Sequence, residues 1–434
     1  MTSVTQLHTS DLRKQAVKMA GPSIIAPAPR PCWPQHDEDE IAAVTEVLRS
    51  GKVNALVHGD RCRAFEQAFA SFCDVPFAIA LANGTLALEL ALRALEIGPG
   101  DEVIIPARSF FASVSCVLAV GARPVFADID LHSQNISAES VRSMVSTRTR
   151  AVICVHLAGR PCDMDTLLTV CREENLFLIE DCAQAHGATY RGQRVGSFGD
   201  AAAFSFCTDK IMSTGGEGGM LLLRDRPLWV RAWAYKDHGK NPDKVRDGGG
   251  SSTFRYLHDS FGSNFRMTEM QAAIGLAQLG KLPAWLAARR RNAAVLKEAL
   301  SDHILIRTLD VPGHIDHAYY KYYFYLRPER MEEAYSLADV VAALNSLGIK
   351  CGPGSCPDMS AEHAFHGLAP RKDADLPNAK TVGACSIMVP VDHLLGKDDM
   401  DTTAFAIRAV ASEVAKPCWT IDDRAESLEW SSYD

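Results

Sequence analysis

Seven short apolar runs between residues 77 and 223 constrain this chain more than any other feature. They span 77–82, 102–106, 124–129, 151–157, 177–181, 201–206 and 219–223. A strand with one wet face alternates apolar and polar residues, whereas these runs mostly do not, which suits burial on both faces. Helical patterns such as 86–95 and 164–174 lie between most of them. This succession predicts an α/β fold: a mainly parallel seven-stranded sheet with flanking helices. Ligands of such sheets bind outside the carboxyl ends of the strands, so informative residues are expected just after the runs.

At 434 residues the chain exceeds one ordinary core, and a smaller C-terminal α/β domain is expected beside the large one. The expected division is a flexible lead-in over 1–30, a large domain over 31–285 and a small domain over 286–434. Acids at Asp37, Glu38, Asp39 and Glu40 suit the first turn of a helix whose apolar stripe is Ile41, Val44, Val47 and Leu48. Residues 236–252 are polar and glycine-rich and read as a mobile loop. A long helix is expected from Thr268 to about Ala299, bent at Pro283. A strand at 322–326 and a helix at 337–347 follow, and the tail from Lys416 carries no clear signal.

The net charge of −8 argues against general attraction to nucleic acid or anionic membranes. The 13 cysteines form no CxxC pair or metal-ligand spacing, and several, such as Cys116, Cys154 and Cys182, sit in apolar runs. No secretory h-region or membrane-spanning stretch is visible, so the expectation is a cytoplasmic protein with free thiols and no metal.

Three segments carry chemistry. The first is Ser205-Phe206-Cys207-Thr208-Asp209-Lys210, followed by the glycine-dense turn Thr214–Gly219. A lysine leaving a buried strand can form a Schiff base with an aldehyde, although a surface lysine in a loop would look the same. The second is Asp181, which ends an apolar run before Cys182-Ala183-Gln184. A carboxylate there suits a pyridinium nitrogen, or it caps the next helix. The third is Asn83-Gly84-Thr85, at the start of a helix, where backbone amides and the Thr85 hydroxyl suit a phosphate. Many helices begin this way.

In this order the pieces resemble the DegT/StrS family of sugar aminotransferases, within the fold-type I group of pyridoxal-phosphate enzymes. The likeness runs from about Trp33 to about Met400. Besides the three segments, it rests on Pro106…Ser109-Phe110, Gly262-Ser263-Asn264-Phe265-Arg266 and Leu376-Pro377…Met388-Val389-Pro390-Val391. The resemblance implies that Lys210 holds pyridoxal phosphate and shuttles the proton, while Asp181 pairs with the ring nitrogen. It places Gln184 near the ring hydroxyl and Phe110 on the ring face, with Phe111 as the alternative. Gly84, Thr85 and Ser205 would hold the phosphate. Asn264 would reach it from a neighbouring subunit, which implies a homodimer with shared sites.

The implied reaction passes nitrogen from glutamate or glutamine, through pyridoxamine phosphate, to a keto sugar, with a nucleotide-linked sugar as the first expectation. A keto-cyclitol is the other acceptor. A dehydratase-like relative would carry histidine in place of Lys210, and a non-catalytic regulator would not need the full set of residues. One departure stands out. The chain reads Gly352-Pro353-Gly354-Ser355-Cys356-Pro357 where the family often has an aromatic-proline-histidine stretch.

Overall fold

Each of the seven runs forms a strand: β1 (Phe77–Leu81), β2 (Glu102–Pro106), β3 (Arg123–Ala127), β4 (Thr149–Val155), β5 (Phe177–Asp181), β6 (Ala201–Ser205) and β7 (Gly219–Leu223). The computed structural model describes residues 11, 12, 14, 32–55, 59–246, 257–367 and 369–416. Strands β2, β6 and β7 are buried along their whole length, as the lack of alternation requires. The sheet order is β1-β7-β6-β5-β4-β2-β3, and β7 alone of the seven runs against its neighbours. An eighth strand, Arg371–Lys372, lies parallel to β3 and corrects the expected count of seven. It is two residues long and polar, so it has no apolar signature. The Asp373 amide donates to Phe126 O, and Arg371 pairs with the buried Glu102 at 2.8 Å.

Helices cover both faces: α1 (Glu38–Ser50), α2 (Arg61–Cys73), α3 (Gly84–Ala94), α4 (Ala112–Ala119), α5 (Met164–Glu173), α6 (Arg226–Lys236) and α7 (Glu269–Leu300). Helix α7 begins with a capping box between Thr268 and Gln271 and runs as one helix through Pro283. Its first residue performs a second task. The N-cap residue of α2, Asp60, makes no side-chain cap; the buried Glu269 carboxylate accepts from the amides of Arg61 (2.6 Å) and Cys62 (3.2 Å) instead. Gly59 leaves the room, since a Cβ there would lie 2.2 Å from Glu269.

The acidic turn of α1 works through an ion pair as well as the helix dipole. Lys281 of α7 meets Asp37, Asp39 and Glu40 at 2.8, 2.7 and 3.1 Å. Only Val47 of the expected stripe is buried, while Ile41 and Leu48 are exposed. The loop expected over 236–252 contains a short helix, Pro242–Arg246, because the Asn241 side chain accepts from the amides of Asp243 and Lys244. Residues 237–240 form a turn held by bridges from Asp237 to Asn264 and from Lys240 to His258, and residues 247–252 lie outside those described, as do most of the N-terminal lead-in and nearly all of the tail.

A second, three-stranded sheet comprises β8 (Ile306–Thr308), β9 (Tyr322–Leu326) and β10 (Ser386–Val389), all antiparallel. With α8 (Leu337–Ser346) and α9 (Lys397–Val414) it encloses its own core, which includes Leu12, Leu296, Phe324, Ile387 and Ile407. The separation is incomplete. Tyr323, Tyr325, Phe365 and Leu376 pack into the large-sheet core instead. They bring the C-terminal part against the carboxyl edge of the large sheet.

Candidate active site

The register places three expected segments on one edge. Leu81 at the end of β1 faces Gly219, which faces Ser205 at the end of β6, while Asp181 at the end of β5 pairs with Ala203. Approach of these backbones depends on two glycines. A Cβ on Gly84 would lie 2.7 Å from Ser205 Cβ, and one on Gly219 would lie 2.3 Å from Asn83 O. Asn83 caps α3 by accepting from Leu86 N at 2.9 Å. The first amides of α3, at Gly84 and Thr85, have no acceptor within their own helix and make an anion cradle beside Ser205.

Lys210 leaves β6 on a turn that folds back on itself. Phe206 N donates to Gly218 O, Thr208 N to Gly216 O and Thr214 N to Phe206 O, with Gly215 and Gly216 at φ 79° and 112°. Those angles strain any residue with a Cβ, which explains the glycine density. Trp33 Nε1 donates to Lys210 O at 2.7 Å. The Lys210 Nζ lies 4.9 Å from the centre of the Tyr320 ring and 4.0 Å from Asp209. Tyr320 donates its hydroxyl to Asp209. Burial opposes ionisation of Asp209, but the Lys210 charge and that hydroxyl outweigh it and hold the carboxyl below its usual range.

Asp181 is buried and accepts from Ala183 N at 3.1 Å and from Ser113 Oγ at 3.5 Å. Burial raises its pKa, against the Ala183 amide and the charges of Lys210 and His156. A cationic ring nitrogen beside it would restore the carboxylate. Behind it, the fully buried Glu180 accepts from the amides of Gly196, Phe198 and Gly199, each at 2.8 Å, and meets His156 at 3.1 Å. Gln184 is fixed by Ala158 N, which donates to its Oε1 at 2.7 Å. Of the two adjacent phenylalanines, Phe110 is 67% exposed while Phe111 packs near Phe365.

The Asn264 segment borders this edge: Ala82 N donates to Phe265 O at 3.0 Å, and Leu81 pairs with Arg266. It also pairs with the end of α6: Ser263 N donates to Tyr235 O, Phe265 N to Lys236 O and His238 N to Ser263 O. Arg266 meets the buried Asp237 at 2.8 Å. Asn264 itself is exposed, and nearby Phe261 is 98% exposed. Sequence reasoning missed Trp33, Ser113 and Tyr320. The aromatic run Tyr319-Tyr320-Lys321-Tyr322-Tyr323 was the one available signal for the last.

These features suit pyridoxal phosphate: an anion cradle that a Cβ would fill, a buried carboxyl short of a cation, a reachable amine and a free aromatic face. Fold and edge together define an aminotransferase that works with this cofactor. Comparison with known proteins gives the family. Residues 34–408 match the DegT/DnrJ/EryC1/StrS aminotransferase family, and the chain belongs to it. It is 38% identical over 382 residues to the GDP-perosamine synthase of Caulobacter vibrioides, covering 87% of this chain and 96% of that one. It is 40% identical over 334 residues to the L-glutamine:2-deoxy-scyllo-inosose aminotransferase of Streptomyces fradiae, covering 76% and 78%. A solved aminotransferase from Psychrobacter cryohalolentis superposes with a TM-score of 0.84 at 43% identity, over 89% of this chain and all of that one. The PLP form of the putative sugar aminotransferase Spr1654 from Streptococcus pneumoniae does so at 0.80 and 25% identity, over 89% and 100%.

Proposed function

We propose that this aminotransferase moves nitrogen from glutamate or glutamine to the ketone of a nucleotide-linked sugar, in amino-sugar biosynthesis. The observation that carries the site reading is that the strand leading to Lys210 and the strand ending in the buried Asp181 lie side by side and finish at one sheet edge, with Gly84 packed against Ser205. Bound pyridoxal phosphate supplies an electron sink and a carrier for the nitrogen. Lys210 holds it and moves the proton at the substrate carbon, with Asp209 and Tyr320 orienting the amine. Asp181 keeps a proton on the ring nitrogen. Gln184, pinned by Ala158, would lie near the ring hydroxyl, and Phe110 would cover the ring. Gly84, Thr85 and Ser205 bind the phosphate. The catalytic edge belongs to the large domain (31–285), and the small domain (286–434) closes over it.

The Caulobacter relative's name supports a nucleotide-sugar acceptor, and the Streptomyces relative's name supports a keto-cyclitol as the second reading. Lys210 argues against a dehydratase-like relative, and the complete cofactor set argues against a non-catalytic one. Mass spectrometry of nucleotide-linked keto sugars and keto-cyclitols, each with glutamate and with glutamine, tests the reading. Amination of none of them, by protein that shows the cofactor's visible absorbance, would reject it.

The active unit in this reading is a dimer in which Asn264 reaches the partner's phosphate site. Exposed Ile41, Leu48, Val53 and Phe261 support a covering surface. Lys210→Ala subunits mixed with inactive Asn264→Ala subunits should recover activity after verified exchange; no recovery would place Asn264 in its own site or outside catalysis. A cytoplasmic location is supported by the described cysteines, which are all free. No helix among the described residues is long and apolar enough to cross a membrane.

A further inference from the structure

The amine of Lys210 faces a carboxylate that the fold holds in place. Asp209 Oδ1 lies 4.0 Å from Lys210 Nζ, and among the described residues no other acid comes within that distance of it. The second oxygen, Oδ2, accepts the Tyr320 hydroxyl. Tyr320 is itself fixed: it is buried, and its backbone N donates to Ala158 O at 2.8 Å. The Tyr320 ring also lies against Nζ, which is 4.9 Å from its centre. A carboxylate and an aromatic face beside one nitrogen both favour its positive form.

The other titratable groups around this nitrogen do not do the same. Lys321 Nζ sits 4.8 Å from the centre of the same ring, and its charge opposes one on Lys210; burial lowers its pKa to about 8. His186 is buried and neutral, its pKa lowered to about 3 by burial and by the Lys210 charge. Tyr320 stays protonated, because burial and Asp209 push its pKa up. Asp181 is buried, and in the proposed reading the ring nitrogen engages it. Asp209, held below the usual carboxyl range, is the anion left for Lys210.

We propose that Asp209 is the counter-charge that keeps the Lys210 nitrogen positive while it carries the cofactor, with Tyr320 fixing the carboxylate. This rests on the reading of Lys210 as the cofactor's anchor and adds what sets the charge there. Positive charge on that nitrogen polarises the bond at which an incoming amine attacks, so Asp209 extends to higher pH the range in which nitrogen exchange can begin. Asp209 acts through Lys210 and is a positioning residue. Its side chain is 54% exposed, so water and salt weaken the interaction, and an effect of about one pH unit is expected.

The test is a pH titration of the visible absorbance of cofactor-loaded protein without donor, which reads the proton on this nitrogen directly. Asp209→Asn should lower the midpoint by about one pH unit, a tenfold change in the proton equilibrium, and Asp209→Glu should keep it within about half a unit of wild type. Raising salt from about 0.05 to about 1 M should lower the wild-type midpoint and move that of Asp209→Asn less. A midpoint unmoved or raised in Asp209→Asn would overturn the proposal. So would an Asp209→Glu midpoint that matches Asp209→Asn, since shape rather than charge would then be at work. Borohydride labelling of each protein separates this from the anchor reading. An unmoved midpoint with the label on Lys210 removes the counter-charge alone, whereas a label on another lysine, or no visible band, removes both.

Discussion

The two walls of the active site are built by different means. The cofactor wall consists of strand ends and the turns directly after them, tied by backbone hydrogen bonds and by glycines at the points of closest approach. The side that the family resemblance assigns to the substrate is assembled by side chains reaching across the sequence. Fully buried Arg108 donates to Gln134, Ser355 and Ser386, which lie 26, 247 and 278 residues away. Ser109 pairs with Cys356 in an isolated bridge. In the proposed reading, cofactor chemistry therefore rests on strand ends tied by backbone bonds, while substrate choice rests on a loop that side-chain contacts hold in place. If so, substitutions on the first wall should abolish chemistry or cofactor binding, and those on the second should shift substrate affinity alone.

The largest effect is expected at Lys210. Lys210→Ala should lower turnover by on the order of 10⁴-fold while the protein stays folded, since anchor and proton carrier are lost together. Borohydride reduction and peptide mapping of the wild type should place the cofactor on Lys210; a label on another lysine ends the assignment.

Asp181 comes next. At saturating cofactor, Asp181→Ala should lower turnover by about 10²-fold, equivalent to two units of lost support for the ring proton. Near-normal turnover would mean a structural role. Stability should move the other way. The folded pKa of Asp181 is raised, so the benefit of its neutral form is present below the unfolded value and lost as pH rises through the folded one. At pH 7 the buried group is therefore a net cost to stability, which a bound cation offsets. Asp181→Asn should therefore raise the melting temperature of cofactor-free protein by about 2 °C at pH 7 and by less at pH 4.

Gly84→Ala separates close approach from general glycine effects. The new methyl would press on Ser205 and should cost about 1–3 kcal/mol, with a matching loss of cofactor affinity. Gly280→Ala is the control. A Cβ there meets nothing within 4 Å, and the change should stabilise α7 by up to about 1 kcal/mol. Equal effects at the two positions would remove the argument for a tight cradle.

Legibility in the sequence follows the same division. Strands buried on both faces betray themselves by unbroken apolar runs, so β1–β7 and the segments at their carboxyl ends could be read directly. Ser205, Asp181 and Gly84 meet where the topology of such a sheet brings them. The strand Arg371–Lys372 could not be read, because two polar residues have no period. Nor could the Glu269 cap on α2, the Trp33 hold on Lys210 or the Arg108 contacts, each of which joins residues far apart whose types are common on any surface. The exposure of Ile41 and Leu48 was missed for a related reason: periodicity reveals an apolar stripe but not what covers it.

The smallest effect, and the sharpest test of the division, is expected at Gly354. This residue sits at φ +92° in the loop that replaces the family's aromatic-proline-histidine stretch. A Cβ on it would lie 2.6 Å from Tyr323 Cε1 and 3.1 Å from an Arg108 nitrogen. Both the angle and the contact exclude a side chain, so in Gly354→Ala the loop or the Tyr323 ring must shift. The Tyr323 hydroxyl accepts from Ser355 N at 3.3 Å, so the displacement reaches the side assigned to the substrate directly. None of these atoms belongs to the cradle of α3 or to the Lys210 turn. The KM for at least one substrate should rise about 3- to 10-fold, the equivalent of roughly 1 kcal/mol of displaced contact. Cofactor affinity and the visible spectrum should stay within twofold of wild type. Ser355→Ala should change neither, because residue 355 contributes backbone groups to these bonds. A Gly354→Ala protein that loses cofactor with substrate KM unchanged would show that the two walls are mechanically one.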